Sequence, residues 1–173
     1  LFVQAGVGSL AGGVVGYFAN LYPNNPPKFI VMEAGAADCL YKGAEAGDGE
    51  PRIVGGDLQT IMAGLACGEP NTIGWDILRN HVSAFISCPD WVSAKGMRML
   101  AAPVKGDPSV TSGESGAVGM GVISSIMTDD AYKELREALE LDNFSQVLMF
   151  STEGDTDPDK YKKIVWGGEY PTV

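Results

Sequence analysis

The sequence opens with Leu-Phe-Val-Gln-Ala-Gly-Val-Gly-Ser-Leu-Ala-Gly-Gly, residues 1–13, in which an apolar segment runs into a glycine-containing turn. Small and apolar residues then continue to Leu21, which predicts a strand over residues 1–4 and a helix over residues 7–21. Backbone N–H groups converge at a helix N-terminus, and glycine lets the backbone approach a bound anion closely. This order of elements predicts an α/β protein with a candidate phosphate site at residues 5–9.

The glycine turn does not match either of two well-known phosphate-binding motifs. Residues 6–11 read Gly-Val-Gly-Ser-Leu-Ala, with alanine where a dinucleotide-binding motif has its third glycine. No Gly-Lys-Ser/Thr follows, so the turn is not a P-loop either. Because turns of this kind also occur without any ligand, the residues alone leave a purely structural role open.

The composition excludes some classes of partner. The chain has 173 residues, 45% of them hydrophobic, and a net charge of −10. A protein this acidic is a poor match for nucleic acid, whose phosphates are neutralised by lysine and arginine. No apolar run is long enough to cross a bilayer, and no signal-peptide pattern precedes the first strand. We therefore expect neither a nucleic-acid partner nor a membrane partner.

The three cysteines give no metal-binding pattern. Cys39, Cys67 and Cys88 form no Cys-x-x-Cys pair, which argues against a zinc site, and we predict no bound metal. We expect reduced thiols of a cytoplasmic protein, although the spacing leaves a disulfide between Cys39 and Cys67 open.

Short apolar segments alternate with helical ones along the rest of the chain. Strands are predicted at residues 28–33, 84–88 and 146–150, with a short one at 52–54, and helices at 36–44, 60–67, 72–82, 90–100, 117–127, 129–141 and 159–165. This alternation predicts a three-layer α/β/α fold with a mostly parallel sheet. Polar turns follow the predicted strands, at residues 6–9, 33–39, 88–90 and 151–155, so we expect them at one edge of the sheet, where ligands of such folds bind.

The polar side chains taken singly define no catalytic group. Serine-rich turns at residues 112–117 and 151–157 are typical of helix capping and serine turns, and a hydroxyl contact to a polar atom of a bound ligand stays open. His81 is the only histidine, and no nucleophile elbow accompanies it, so a catalytic triad is not predicted.

Taken together, several blocks resemble the diaminopropionate ammonia-lyases, pyridoxal-phosphate enzymes of the fold-type-II group that also includes threonine dehydratase and serine racemase. The blocks are Gln-Ala-Gly-Val-Gly (4–8), Ala-Asp-Cys (37–39), Gly-Gly-Asp (55–57), Thr-Ile-Met-Ala-Gly-Leu-Ala-Cys-Gly-Glu-Pro-Asn (60–71), Ser-Gly-Glu-Ser-Gly-Ala-Val-Gly (112–119) and Ser-Thr-Glu-Gly-Asp-Thr-Asp (151–157). The resemblance implies a tryptophan synthase β-like fold in which residues 1–173 form the C-terminal part of the large cofactor-binding domain. The chain does not begin with methionine, and we expect the N-terminal half of the enzyme to be missing from it.

The resemblance also implies how the chain binds pyridoxal 5'-phosphate. Backbone N–H groups of Ala5, Gly6, Val7, Gly8 and Ser9 would bind the cofactor phosphate. Relatives carry a run of glycines here, so Ala5 and Val7 depart from the pattern. Backbone donors tolerate such a change provided that neither position needs a positive φ.

A second contact is implied at the pyridine nitrogen, where the group places a hydroxyl or thiol after the last strand of the large domain. Ser151 and Thr152 both match this position, and we select Thr152. Some relatives bind a cation at a turn that here contains Glu33, Ala37 and Cys39. Because cysteine replaces the carboxylate that hard cations prefer, we expect no divalent site, and a monovalent ion stays open.

One feature of the group is missing from this chain. The lysine that binds the cofactor covalently lies in the first half of such enzymes, as do the acids that abstract the α-proton. No lysine here lies in such a setting: they are Lys28, Lys42, Lys95, Lys105, Lys133, Lys160, Lys162 and Lys163. The resemblance therefore implies no catalytic residue among residues 1–173, and a chain that is inactive alone.

For the full enzyme, the resemblance implies conversion of 2,3-diaminopropionate and water to pyruvate and two ammonia molecules. It further implies a small amino acid as substrate and a homodimer. Two alternatives stay open: a related serine or threonine dehydratase, and a non-catalytic phosphate-binding module.

Overall fold

The computed structural model describes residues 1–172. The chain divides into two compact units, the first spanning Leu1–Pro89 and the second beginning at Asp90. None of the helices in the described residues combines the length and the apolar character that crossing a membrane requires.

The first unit is built on a parallel three-stranded sheet in the order β1-β2-β3. Its strands are β1 (Phe2–Gln4), β2 (Phe29–Ala34) and β3 (Val82–Cys88), and its helices are α1 (Ser9–Leu21), α2 (Cys39–Ala46) and α3 (Thr72–His81). Strands β1 and β2 are buried along their whole length, as continuous apolar runs predict for a parallel sheet. The predicted α/β class with a parallel sheet is confirmed.

The second unit is helical. It contains α4 (Asp90–Ala101), α5 (Glu114–Thr128), α6 (Lys133–Ala138) and α7 (Pro158–Val165). Helices α4 and α5 cross at very short range because glycines lie at the crossing. A β-carbon on Gly96 would lie 2.0 Å from the carbonyl oxygen of Ala117, and one on Gly121 would lie 1.9 Å from that of Val92.

The helix predicted over residues 60–67 is wrong. Only a single 3-10 turn forms there, Ala63–Leu65. The N–H of Met62 donates to the hydroxyl of Thr60 at 3.1 Å, and the carbonyl of Gly68 accepts from the N–H of Val54 at 2.8 Å. Within the segment, the N–H groups of Ala63, Leu65, Ala66 and Cys67 donate to carbonyls only two or three residues back. The Thr60 side chain and these tight turns replace the four-residue hydrogen bonds of an α-helix.

Three further predictions also need correction. Residues 146–150 and 52–54 form no strand, because no strand in residues 1–172 pairs with either segment. The helix predicted over residues 129–141 is split into a 3-10 turn, Asp130–Tyr132, and α6. Asp129 accounts for the split, since its side chain accepts from the N–H of Ala131 at 2.9 Å and so starts a separate turn.

Candidate functional site

The glycine loop, Ala5–Ser9, joins β1 to α1 and is the first candidate site. Gly8 is the N-cap of α1 with a φ of 91°, and no side chain caps this end of the helix. The first helical hydrogen bond runs from the N–H of Gly12 to the carbonyl of Gly8 at 2.8 Å. Within residues 1–172, the N–H groups of residues 6–11 donate to no acceptor. Free N–H groups at the positive end of a helix suit a bound anion.

Asn71 holds the glycine loop in place and was missed by the sequence analysis. Its N–H donates to the carbonyl of Val7 at 2.7 Å, and its side chain caps α3 by accepting from the N–H of Gly74 at 2.7 Å. Gly74 touches the loop as well, since a β-carbon there would lie 2.8 Å from the carbonyl oxygen of Gly8. The signal was present in the sequence, because asparagine is a preferred N-cap residue.

Glu33 lies at the carboxyl end of β2 and is fully buried. Its two carboxyl oxygens accept from the N–H groups of Leu40, at 2.9 Å, and Tyr41, at 2.6 Å, in the first turn of α2. Burial raises the pKa of Glu33 to about 8, against these two hydrogen bonds, which lower it. The carboxyl group therefore stabilises the first turn of α2.

Two of the four polar turns predicted at one edge of the sheet, residues 33–39 and 88–90, lie together there. The turn at residues 151–155 follows no strand in the described residues, so the prediction is wrong for that turn. The hydroxyl of Ser87 in β3 donates to the carboxylate of Asp38 at 2.7 Å, and the N–H of Gly35 donates to the carbonyl of Cys88 at 2.8 Å. These bonds join the carboxyl ends of β2 and β3.

The cysteines of the first unit are free thiols. No disulfide joins Cys39 and Cys67. The thiol of Cys39 instead lies 3.6 Å from the backbone carbonyl oxygen of Cys67. The pKa of both Cys39 and Cys88 is raised to about 12. Burial is the larger cause, and the nearby carboxyl group of Glu33 is the second. In residues 1–172 no cluster of three or more His, Cys, Asp or Glu side chains is arranged to hold a metal ion.

The second unit contains the other candidate residues. Thr152 and Ser151 are exposed, in a turn that follows residues 146–150. The hydroxyl of Ser151 donates to that of Ser112 at 2.8 Å. Glu153 caps α5, which the sequence analysis did not foresee, and Ser115 is buried with no hydrogen-bond partner for its hydroxyl in the described residues.

Comparison with known proteins defines the class to which this fold and these turns belong. Residues 1–149 match the sequence profile of a family described as pyridoxal-phosphate dependent enzyme. The chain belongs to this family, whose cofactor is pyridoxal phosphate.

Within the family, the chain is similar to diaminopropionate ammonia-lyases. It is 53% identical over 169 residues to the enzyme of Salmonella typhimurium strain LT2 and 49% identical over 170 residues to that of Escherichia coli K12. The matches cover 97% and 98% of this chain and 42% of each relative. The chain therefore spans about two fifths of the length of the curated relatives it matches.

Solved structures agree with this similarity. The diaminopropionate ammonia lyase of Escherichia coli in complex with D-serine superposes with a TM-score of 0.90 and 45% identity, over 99% of this chain and 42% of that one. Its complex with an aminoacrylate-PLP azomethine reaction intermediate superposes with a TM-score of 0.87 and 46% identity, over 98% of this chain and 42% of that one. Threonine deaminase isoform 2 of Solanum lycopersicum superposes with a TM-score of 0.73 over 99% of this chain and 44% of that one. Its identity is only 17%, so this likeness shows the shared fold alone. The predicted fold-type-II architecture is confirmed.

Proposed function

We propose that the enzyme containing this chain is a pyridoxal-phosphate-dependent ammonia-lyase that converts 2,3-diaminopropionate and water to pyruvate and two ammonia molecules. The observation that carries this proposal is the 53% identity to the Salmonella lyase, which extends over 97% of the chain. When bound, the cofactor supplies an electron-withdrawing ring that acidifies the α-hydrogen of an amino acid.

In this proposal the glycine loop binds the cofactor phosphate through the N–H groups of Ala5–Ser9. The free N–H groups at the start of α1 and their position at the carboxyl end of β1 support it. Of these five positions only Gly8 has a positive φ. Ala5 and Val7, the two departures from the glycine run of relatives, therefore occupy positions where a side chain causes no backbone strain.

Thr152 is proposed as the partner of the pyridine nitrogen. Its exposed position in the turn after residues 146–150 supports this role. A hydroxyl can donate to or accept from that nitrogen, whereas a carboxylate would hold a proton on it. The ring then withdraws electrons less strongly, which suits elimination.

The covalent lysine and the groups that move the α-proton are proposed to lie outside residues 1–173. Several lysines here are engaged elsewhere: Lys42 pairs with Glu45, Lys133 with Glu137, and Lys95 donates to Ser125. The proposal also includes a homodimer in the cytoplasm, with no nucleic-acid or membrane partner. The three free thiols support a reducing compartment, and the net charge of −10 argues against nucleic acid.

The test is made on the complete enzyme, purified with pyridoxal phosphate. We expect visible cofactor absorbance and pyruvate formation that strongly prefers diaminopropionate over serine and threonine. Colour with a preference for serine or threonine would assign a dehydratase instead. If the protein neither binds the cofactor nor forms pyruvate, the non-catalytic phosphate-binding module is the alternative that remains.

Gly8→Ala tests the phosphate loop separately from the substrate. An alanine must adopt a φ of 91° at this position, which costs about 1–2 kcal/mol, and its β-carbon would lie 3.2 Å from the Leu40 and Leu78 side chains. We expect cofactor affinity, measured by equilibrium dialysis, to fall about tenfold or more. Gly13→Ala is the matched control, because a β-carbon there meets nothing within 4 Å and affinity should not change. Equal affinity in Gly8→Ala and the parent would refute the assigned loop.

A further inference from the structure

The turn that contains Thr152 lies directly against the first turn of α5, within the second unit. A β-carbon on Gly113 would lie 2.4 Å from the carbonyl oxygen of Gly154, and one on Gly116 would lie 3.1 Å from the backbone nitrogen of Thr152. A side chain at Gly113 would therefore displace the turn, and one at Gly116 would crowd it. The absence of two β-carbons lets the backbone of residues 152–154 approach the helix end.

Glu153 ties that turn to the helix through both its side chain and its backbone. One carboxylate oxygen accepts from the N–H groups of Ser115, in a short hydrogen bond, and of Gly116, at 3.2 Å. The carbonyl oxygen of Glu153 accepts from the N–H of Gly113 at 3.1 Å. N–H groups of the first helical turn normally lack partners, and a carboxylate at the positive helix end is favourable.

A hydroxyl pair fixes the residue on the other side of Thr152. The hydroxyl of Ser151 donates to that of Ser112 at 2.8 Å. The residues on both sides of Thr152 are thus attached to residues 112–116, through hydrogen bonds that span 37 to 39 positions of the chain. Of these contacts, the Glu153 carboxylate accepts the most hydrogen bonds at the α5 end.

We propose that Glu153 is a positioning residue that holds Thr152 in place for its contact with the cofactor ring, by capping α5 from within the Thr152 turn. This inference rests on the proposed function. It assigns Glu153 no contact with cofactor or substrate. The same carboxylate both completes the helix end and fixes the backbone next to Thr152, so α5 and the turn move together.

The experiment uses the complete enzyme and reads the absorbance maximum, fluorescence and dissociation constant of bound pyridoxal phosphate, beside the thermal midpoint. Glu153→Ala should shift the cofactor spectrum in the direction that Thr152→Val does, and weaken cofactor binding about fivefold to tenfold. Glu153→Gln should restore both readouts, because its amide oxygen can accept the same two N–H groups. Glu153→Asp, which keeps the charge on a shorter side chain, should behave like the alanine variant and serves if that variant does not fold.

Asp157→Ala is the matched control. Asp157 caps α7 by accepting from the N–H of Lys160 at 3.1 Å, four residues beyond Glu153. Its loss should lower the thermal midpoint without changing the cofactor spectrum. A Glu153→Ala or Glu153→Asp enzyme that is destabilised but keeps the parental spectrum and affinity would reduce Glu153 to a helix cap and overturn the inference. A parent enzyme that binds no cofactor would instead refute the proposed function.

Discussion

At the scale of single residues, Glu33 is the clearest case of a side chain whose surroundings change its chemistry. It is fully buried, and its carboxyl oxygens accept from Leu40 and Tyr41 at the start of α2. Burial raises the pKa of Glu33 from 4.5 to about 8. In the unfolded chain the carboxyl group returns to its ordinary pKa, so folding is coupled to proton uptake.

We predict that the stability of the first unit falls as the pH rises from about 5 to about 9 because of Glu33. Below the unfolded pKa both states are protonated, and the contribution to stability is fully present. Above it the unfolded state releases the proton that the folded state keeps, so stability is lost until the pH passes the folded pKa of about 8. One unit of pKa difference corresponds to about 1.4 kcal/mol, so the difference between 4.5 and about 8 corresponds to a loss of roughly 4–5 kcal/mol. Urea unfolding at a series of pH values measures it.

Glu33→Gln should flatten this pH profile, since an amide does not titrate over the range, even if the absolute stability also drops. Glu45→Gln is the control, because Glu45 is an exposed carboxylate on α2, the helix whose first turn Glu33 caps, and its profile should match that of the parent. An unchanged slope in Glu33→Gln would contradict the assignment.

At the scale of elements, the crossing of α1 and α3 determines where the glycine loop lies. A β-carbon on Gly12 would lie 2.9 Å from the α-carbon of Gly74, and the helices meet backbone to backbone at this point. Gly74 in turn touches the carbonyl of Gly8. The start of α1 is therefore positioned by a glycine contact one turn further along the helix.

We predict that Gly12→Ala lowers the free energy of unfolding by about 1–3 kcal/mol, because the new methyl group must push α3 away. It should also weaken cofactor binding in the complete enzyme, since the loop moves with α1. Chemical denaturation and cofactor titration measure the two effects.

Gly16→Ala is the comparison within the same helix. A β-carbon there would lie 3.8 Å from the methyl groups of Ile77, an ordinary contact, so the variant should gain about 0.5–1 kcal/mol from better helix propensity. Equal stabilities of the two variants would show that the crossing is not as tight as the structure has it.

The sequence predicted the elements whose signals are local and failed where a distant segment decides. Strands β1, β2 and β3 and helices α3 and α4 follow the predicted ranges to within two residues. Residues 146–150 have the apolar composition of a strand. They form none, because a strand must pair with a neighbouring strand and none in the described residues pairs with them. Residues 60–67 have a helical composition, but their N–H groups donate to the Thr60 side chain and to carbonyls two or three residues back instead of four.

At the scale of the whole molecule, one face of α1 leaves large apolar side chains in solvent. Leu10, Tyr17 and Leu21 are 50%, 63% and 49% exposed, and their spacing places them on one side of the helix. No charged residue occurs in residues 1–27 to interrupt this surface. A helix that is apolar all round is normally buried on both sides.

We predict that residues 1–173 produced alone self-associate through this face. Light scattering after size-exclusion chromatography should show polydisperse material, and the double variant Tyr17→Lys/Leu21→Lys should shift it toward the monomer. The control variant Ile53→Lys/Val104→Lys changes two exposed apolar residues outside the face and should not. A monodisperse parent chain that unfolds cooperatively would contradict the prediction.

Patterns along the chain were enough to predict the parallel α/β class, the glycine loop at the end of β1 and the similarity to pyridoxal-phosphate enzymes. These depend on apolar runs, glycine positions and motif blocks, which can be recognised along the chain. Three contacts became visible only in the folded chain: Asn71 holds the loop, Glu33 caps α2 and Glu153 caps α5. A hydrogen bond depends on distance in space and not along the chain: Glu153 lies 38 residues from Ser115, whose N–H group donates to it.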